Sequence, residues 1–366
     1  MKKNFLFMLV VFAVLLSFLS VPVSAGGLNI AIVTSPNDVH DGGFNKDNYN
    51  GLLAFQKEHP DTQITLVQEK TGDPALCVKA AADVAADFDV VVCTGFQFSG
   101  VTEVAEDNPD VKFILVDVSG VTDELSNVYA MTFKEEESGF FAGIAAALST
   151  KTKKVAVVNG IAIPTNVNYQ YGFMSGVNYA NRHYGTDAEI VELPSYSGID
   201  VTARDVGGNY IGSFVDQANG KIVGQSLIRE GCDVIFVAAG VAGMGVFTAA
   251  KEAEGVYVIG CDADQYDDGA NGSSNIVLTS VLKVMGKNDY RVLNEILAGK
   301  FKGGNYLLGA DTDSTGYVKT KGRCQLTDDA VKKIDAAVAL VKAKKILPAS
   351  SSSGTMPDNF TGLDAE

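Results

Sequence analysis

Two aspartates that follow apolar segments are the residues of this sequence best placed to bind a small molecule. Asp117 follows the apolar segment 111–116, and Asp262 follows the apolar segment 256–260 and one cysteine. A carboxylate accepts hydrogen bonds from hydroxyl, amine and amide groups, so either residue could bind a polar ligand. The alternative is a structural role, in which each aspartate caps a helix or closes a turn.

The segment DGGFN, residues 41–45, places an aromatic side chain between an apolar segment and a helix-patterned segment. Gly42 and Gly43 permit a tight turn, and Asn45 is expected to cap the helix that follows. Phe44 then either faces a ligand cleft or packs into the core. Loops in this position often carry binding residues.

A second glycine-containing segment, residues 239–245 (AGVAGMG), also lies between a strand and a helix. Its glycines would let backbone N–H groups approach a ligand. It does not match G-x-G-x-x-G, and the sequence contains no Gly-Lys-Ser/Thr of a phosphate-binding loop. The sequence therefore gives little support for dinucleotide binding.

Residue types that support catalysis or metal binding are few and poorly spaced. The histidines His40, His59 and His183 do not have the spacing of metal ligands and suggest no Ser/His/Asp arrangement. Residues 311–316 (DTDSTG) begin like a calcium loop, but its twelfth position is Gly322, where glutamate is needed. We therefore expect a protein that is not an enzyme and that uses no cofactor or metal.

The composition favours a folded protein that does not bind nucleic acid. The chain has 366 residues and a formal net charge of -15, with 44 acidic and 29 basic side chains. Such a chain is a poor ligand for a phosphate backbone. The hydrophobic content of 46% is typical of a globular chain, and the length suggests about two domains.

The first 25 residues are typical of a secretory signal peptide. Lys2 and Lys3 precede a short apolar run, and small residues at 23–25 form a cleavage site. The alternative, a transmembrane anchor, needs about 20 apolar residues, which the run does not reach. We expect a mature protein that starts near Gly26 and is soluble in the periplasm or outside the cell. No cysteine near the cleavage site offers a lipidation point, and the five cysteines, an odd number, leave at least one thiol unpaired.

The elements that must position these residues alternate between apolar strands and amphipathic helices. Strands that are apolar almost throughout, such as 111–116 and 234–238, are typical of parallel sheets covered by helices on both faces. Two such series of similar size predict two α/β lobes. Ligands of parallel sheets bind beyond the carboxyl ends of the strands, where Asp117 and Asp262 lie. The polar tail, residues 349–366, is expected to be disordered.

Seven motifs in this order resemble the basic membrane protein family of solute-binding proteins, the purine nucleoside receptor-like group that serves ABC importers. They cover most of the chain from about 28 to 345. They are DGGFN (41–45), FILVD (113–117), ESGFFAG (137–143), YGFMSG (171–176), GCDVIFVAAG (231–240), VIGCDADQ (258–265) and LTSVLK (278–283).

The resemblance implies a type I periplasmic-binding fold, in which three crossovers join two doubly wound parallel-sheet lobes. The crossovers are expected near Phe133, Val281 and residue 315. Lobe one is then 28–132 plus 282–315, and lobe two is 133–281 plus 316–348.

The resemblance also implies a set of ligand-binding residues, each taken over by its motif position. Phe44 and Phe236 are expected to stack on the purine, and Asn45 and Asp117 to hydrogen-bond its edge. Asp262 and Lys283 are expected to bind the ribose hydroxyls, with the backbone turn Gly240-Val241 nearby. Val241 departs from the family, which usually has a second glycine there.

The function that the resemblance implies is that of an extracytoplasmic receptor, a monomer that delivers a purine nucleoside to the permease of an ABC importer. Two alternatives use the same cleft: a receptor for another small polar solute such as a sugar, and a sensory protein that partners a membrane kinase. A nucleoside-processing enzyme is disfavoured, because no activated nucleophile or acid/base pair can be named.

Overall fold

The computed structural model describes residues 27–122 and 124–365. The expected signal peptide, residues 1–25, lies outside the described residues. No helix within the described ranges combines the length and the apolar character that crossing a membrane requires. All five cysteines lie in these ranges as free thiols, and four of them are buried.

The first lobe contains a six-stranded parallel sheet with helices on both faces. Its first five strands are β1 (Asn29–Thr34), β2 (Gln63–Gln68), β3 (Val90–Thr94), β4 (Lys112–Val116) and β5 (Val128–Phe133). Its first three helices are α1 (Phe44–Glu58), α2 (Pro74–Ala85) and α3 (Val101–Asp107). All five residues of β3 are buried, as the apolar run 90–93 predicts.

The second lobe repeats this arrangement around a second sheet. Its strands begin with β6 (Lys154–Asn159), β7 (Glu189–Ile190), β8 (Gly198–Ile199), β9 (Asp205–Gly207), β10 (Val234–Ala238) and β11 (Tyr257–Gly260). They continue with β12 (Ala270–Asn271), β13 (Ser274–Asn275) and β14 (Val277–Lys283). Its helices are α4 (Glu135–Ser149), α5 (Pro164–Tyr184), α6 (Gln217–Arg229) and α7 (Gly243–Lys251).

The remaining elements are divided between the lobes. They are α8 (Met285–Leu297), β15 (Gly304–Leu308), β16 (Thr315–Tyr317) and α9 (Asp328–Lys342). The strand order of the first sheet is β15-β5-β4-β3-β1-β2, and that of the second is β16-β14-β11-β10-β6-β7. All pairs in these two sheets are parallel except β14 with β16. The predicted α/β fold of two parallel-sheet lobes is confirmed.

Three passages of chain join the two sheets, and side chains of α4 bind them together. The chain crosses after Phe133, after Lys283 and between Leu308 and Thr315. The hydroxyl of Ser138 donates to the backbone carbonyl of Leu282 over 2.7 Å. The carboxylate of Glu137 accepts from the backbone N–H of Ala310 at 2.6 Å and from the Thr315 hydroxyl at 2.7 Å. The three segments that cross between the lobes form the hinge, and side chains of α4 link them by hydrogen bonds.

The C-terminal tail is ordered, so the expectation of disorder is wrong for its described part, residues 349–365. Ala349 is fully buried, and Phe360 is 4% exposed and packs its ring against Phe140. The amide oxygen of Asn168 accepts hydrogen bonds from Ser350 and Ser351. The segment is polar overall but contains a few apolar residues. Their burial, together with side-chain hydrogen bonds, fixes the segment in place.

Helices α4 and α5 approach closely because glycines face each other across the contact. A Cβ atom at Gly143 would lie 2.1 Å from the carbonyl oxygen of Phe173, and one at Gly176 would lie 2.1 Å from that of Phe140. Both distances are far below van der Waals contact. Only glycine permits such close packing at these positions. The contact fixes the position of α5, which carries residues of the cavity described below.

Gly143→Ala should lower the free energy of unfolding by about 1–3 kcal/mol, the usual cost of overpacking. Alanine in a helix otherwise gains about 1 kcal/mol over glycine, so a net loss isolates the helix contact. Chemical denaturation measures the difference. Gly316→Ala is the control, because a Cβ there meets no atom within 4 Å. Equal stability of the two variants would show that α4 and α5 can separate at little cost.

Candidate functional site

A cavity of about 310 Å³ lies between the lobes, at the carboxyl ends of both parallel sheets. This volume lies at the small end of the range for small-molecule sites. Its walls combine aromatic rings, carboxylates, amides and backbone from both lobes. Lobe one contributes Ser35, Pro36, Asn37, Asp41, Phe44, Asn45, Thr71, Gly72, Thr94, Gly95, Phe96, Gln97 and Asp117. Lobe two contributes Ile161, Ile163, Thr165, Asn166, Tyr169, Gly212, Ser213, Phe214, Val215, Ala238, Gly240, Cys261, Asp262 and Lys283.

The loop before α1 is shaped by Asp41. Its carboxylate accepts hydrogen bonds from the backbone N–H groups of Gly43 at 3.1 Å, Asn45 at 2.9 Å and Lys46 at 3.1 Å. Asp41, and not Asn45 as expected, thus satisfies the unpaired N–H groups at the start of this helix. Burial raises the pKa of Asp41, and these hydrogen bonds oppose the shift.

Phe44 is the first residue of α1, and its half-buried ring lines the cavity. The ring also packs at the edge of the lobe-one core, so it takes part in both of the roles that the sequence left open. The ammonium of Lys283 lies 5.3 Å from the centroid of this ring, a cation–π distance.

Asn45 is 3% exposed, and its amide is held by lobe one. Its Oδ1 accepts from the Thr94 hydroxyl at 2.6 Å, and its Nδ2 donates to the backbone oxygen of Asn37 at 3.1 Å. An amide nitrogen has two hydrogens, so one N–H of Asn45 is still available for a ligand, and Asn45 lines the cavity. Asn45 is therefore a preorganised donor in the cavity wall.

Lys283 is almost fully buried, and its ammonium is shared by two carboxylates. Its Nζ lies 2.6 Å from the carboxylate of Asp117 in lobe one and 2.9 Å from that of Glu135 at the start of α4. Burial alone would lower the pKa of Lys283, but the carboxylates of Asp117, Glu135 and Asp262 raise it. Burial raises the pKa of Glu135, and the Lys283 cation opposes that shift. The neighbouring carboxylates thus favour the charged form of Lys283 in the cavity wall.

Asp262 faces the cavity from lobe two with a different set of partners. The Tyr169 hydroxyl donates to its Oδ1 at 2.9 Å, and the backbone N–H of Lys283 donates to its carbonyl oxygen at 3.0 Å. Burial raises the pKa of Asp262, and the Lys283 cation opposes the shift. The ammonium of Lys283 forms its ion pairs with Asp117 and Glu135, so Asp262 keeps acceptor capacity for a ligand.

Asp117 and Asp262 each take the left-handed backbone conformation, with φ of 60° and 67°. Aspartate tolerates this region better than most side chains. Each follows a central strand of its lobe, β4 or β11. The two carboxylates predicted from the ends of apolar segments therefore both line one cavity.

Phe236 does not line the cavity, which corrects the expectation that it stacks on a ligand. It lies in the middle of β10, is fully buried, and packs against Phe173 at 5.9 Å and Tyr169 at 5.7 Å between ring centroids. Its side chain points from the face of the sheet into the core with α4 and α5. Only residues at and beyond the end of β10, Ala238 and Gly240, reach the cavity.

Val241 is likewise absent from the cavity wall, although its neighbour Gly240 lines it. Gly240 has φ of 53° and starts a short 3-10 turn, Gly240–Ala242, that leads into α7. The turn directs Val241 away from the cleft.

Phe214 is a cavity aromatic that the sequence reasoning missed. Its ring packs so closely on Gly160 that a Cβ there would lie 2.3 Å away, and its backbone oxygen accepts from Ala242 N–H at 3.0 Å. A partial signal was present, because Gly212 lies two residues before Phe214, and Asp216, whose side chain caps α6, lies two residues after it. The segment 41–45 has the same order of glycine and phenylalanine ahead of a helix.

The chain matches the family model for PnrA-like ABC transporter substrate-binding proteins over residues 29–193 and 202–351. A relative named ABC transporter nucleoside-binding protein BmpA, from Lactococcus lactis, is 29% identical over 336 residues, 86% of each chain. Basic membrane protein A of Borreliella burgdorferi is 28% identical over 316 residues, 85% of each chain.

Solved structures of low identity share the fold. A solute-binding protein of an ABC transporter system from Aeropyrum pernix has a TM-score of 0.73 at 21% identity, covering 88% of this chain and 93% of its own. An ABC transporter solute-binding protein from Agrobacterium vitis with bound D-fucose has a TM-score of 0.54 at 14% identity, covering 81% and 99%. The predicted periplasmic-binding fold is confirmed by these neighbours.

Lys283→Met should lower the free energy of unfolding by about 3–5 kcal/mol, because it leaves buried carboxylates without their cation. The loss should grow as pH rises from 5 to 8. Without the cation the pKa of Glu135 rises further above its unfolded value, so stability is kept at low pH and lost as pH rises. Denaturant titrations at several pH values measure both effects.

Lys319→Met is the matched control, since it removes an exposed ion pair with Asp335 and should cost less than about 1 kcal/mol. If the two variants lose the same stability, the buried cluster does not hold the lobes together.

Proposed function

The chain belongs to the PnrA-like family of ABC transporter substrate-binding proteins, and we propose that it binds a purine nucleoside between its lobes and delivers it to the importer's permease. The protein is exported, acts outside the cytoplasm, and is a monomer. Binding closes the lobes, because the contacts are divided between them and only the closed state makes all of them.

The observation that carries this proposal is the pairing of aromatic rings and hydrogen-bonding groups around one cavity. Phe44 of lobe one and Phe214 of lobe two offer aromatic faces for a flat base. Asn45 supplies an N–H donor, and Asp117 supplies a carboxylate for the donors of a purine edge.

Asp262 is the acceptor for the ribose hydroxyls. Its carboxylate borders the cavity and already accepts from Tyr169 on one side, so it is held in place for a vicinal diol. Lys283 contributes a positive charge near the same oxygens, although its ammonium is bound to Asp117 and Glu135 and not to Asp262. The naming of the Lactococcus lactis relative as nucleoside-binding supports this reading.

The ligand is neutral, as judged from the charges around it. Four carboxylates, those of Asp41, Asp117, Glu135 and Asp262, surround or adjoin a cavity with one lysine. An anionic group such as a phosphate would face a net negative wall.

A receptor for a sugar is the second candidate. It is favoured by the bound D-fucose of the fold neighbour from Agrobacterium vitis and by carboxylates that suit hydroxyl groups. Native mass spectrometry of the purified protein separates the candidates, because a retained nucleoside or sugar is identified by its mass. Calorimetry with inosine, hypoxanthine and D-fucose then ranks the three. Tighter binding of D-fucose than of inosine would refute the nucleoside proposal.

Phe44→Ala and Phe214→Ala should each weaken inosine binding by about 1–3 kcal/mol, the range for stacking of a base on an aromatic side chain. Isothermal titration calorimetry measures the change. Phe236→Leu is the control, since it should lower the melting temperature and leave the affinity for inosine unchanged. Unchanged affinity in both alanine variants rules out a sandwich between these rings.

Asp262→Ala should weaken inosine binding by roughly ten- to a few-hundredfold, because hydrogen bonds to charged groups contribute about 1.5–3 kcal/mol each. Hypoxanthine has no ribose and should lose much less. The ratio of the two dissociation constants, in wild type and variant, is the measurement. A constant ratio with a lower melting temperature would mean that Asp262 is structural.

A further inference from the structure

Glu135 lies outside the cavity wall but one contact away from it. It is the first residue of α4, directly after the first crossover, and only 4% exposed. Its Oε1 lies 2.9 Å from the ammonium of Lys283. The sequence pattern did not single it out, because Glu135 lies two residues before the motif ESGFFAG (137–143).

Lys283 connects Glu135 to residues that line the cavity. Its Nζ lies 2.6 Å from the Asp117 carboxylate and 5.3 Å from the centroid of the Phe44 ring, and both residues line the cavity. It also lies 5.2 Å from the ring centroid of Phe133, at the end of β5. One ammonium thus contacts a crossover, a cavity carboxylate and a cavity ring.

We propose that Glu135 is a positioning residue of the ligand site, which holds Lys283 so that Asp117 and Phe44 keep their orientation toward the ligand. The inference rests on the proposed function of this cavity. A lysine ammonium sits on a flexible stem with three rotatable donors, so one partner alone does not fix it. Two carboxylates on different elements do, because they occupy two of the three N–H groups.

Glu135 also keeps the Lys283 ammonium from forming an ion pair with Asp262. Asp262 and Lys283 line the same cavity, and the backbone N–H of Lys283 donates to the Asp262 carbonyl oxygen at 3.0 Å. With Glu135 in place, the ammonium is held by Glu135 and Asp117, and Asp262 stays available as a ligand acceptor. Without the Glu135 carboxylate, the ammonium turns toward Asp262, and the cavity loses both the placement of Asp117 and a free acceptor.

Glu137 provides a matched control on the same helix turn. It is also buried, and it also ties α4 to a crossover, but its Oε2 accepts from Ala310 and Thr315 and its Oε1 lies 3.6 Å from Lys134. Loss of Glu137 therefore weakens the hinge without moving Lys283. A difference between the two positions separates placement of the site from stability of the hinge.

The experiment compares Glu135→Met, Glu135→Gln and Glu137→Met by calorimetry with inosine at pH 7.5. Glu135→Met removes the acceptor and should weaken binding by about tenfold or more. Glu135→Gln keeps an oxygen for the Lys283 ammonium and should recover binding to within about threefold of wild type. Glu137→Met should lower the melting temperature and stay within about twofold. An equal loss in Glu135→Met and Glu137→Met, or no loss in Glu135→Met, overturns the proposal.

A double-mutant cycle tests the route through Lys283. In a Lys283→Met background, Glu135→Met should change the affinity for inosine by less than about twofold, because the residue through which it acts is gone. A further tenfold loss in that background would show that Glu135 acts on the ligand by another path.

Crystal structures of the ligand-free wild type and Glu135→Met decide the positional part without any ligand. The Lys283 ammonium should leave its place beside Asp117 in the variant and approach Asp262. An unmoved ammonium overturns the proposal. Failure of the wild type to bind inosine would refute the nucleoside function and leave this comparison as the test of Glu135.

Discussion

The buried ammonium of Lys283 is the interaction on which the arrangement of the lobes depends. A charge removed from water costs several kcal/mol unless partners with good geometry surround it. Its partners here are Asp117, which follows β4 of lobe one, and Glu135, which begins α4 of lobe two. This desolvation cost is offset only when both lobes and the second crossover are folded together. The same requirement places charged groups at the base of the cleft, beside the hinge.

Backbone contacts between α4 and α5 help to position the cavity wall that lobe two contributes. A Cβ atom at Gly139 would lie 2.4 Å from the carbonyl oxygen of Tyr169, so the two helices touch through their main chains. Such a contact leaves little freedom for rotation or sliding, because no flexible side chain lies between the helices. Tyr169 in turn donates its hydroxyl to Asp262. The acceptor position in lobe two therefore depends on the packing of two helices as well as on the loop that carries Asp262, whose backbone carbonyl accepts from the Lys283 N–H.

The charge of the whole chain and the charge of the cavity have the same sign, with different consequences. A net charge of -15 keeps the protein from anionic polymers. Inside the cleft, carboxylates supply acceptors for hydroxyl and amine donors, while Lys283 limits their mutual repulsion. A wall of this kind suits a neutral, donor-rich solute, as the proposed function requires. Both lobes contribute residues to it.

The sequence alone determined the fold and part of the site. Unbroken apolar strands that alternate with amphipathic helices require parallel sheets with both faces covered, and parallel strands bring their carboxyl ends to one edge. That rule placed Asp117 and Asp262 at the cleft. The glycine turn before α1 left Phe44 open between cleft and core, and only the family resemblance assigned it to the ligand. Local capping chemistry also fixes the start of α2, where the backbone N–H groups of Ala75 and Leu76 donate to the side chain of Asp73.

Only the tertiary structure decided which side chains meet. Phe236 was assigned to the ligand by its motif position in the family, but it lies in the core. A strand that is buried on both faces gives no local signal of which face a residue takes. Lys283 and Asp117 are 166 residues apart, and no local pattern reports that a crossover brings Glu135 to the same ammonium. Phe214 entered the site, and the polar tail became ordered, for the same reason. Each depends on contacts between segments that are distant in the chain, and local propensity carries no information about such contacts.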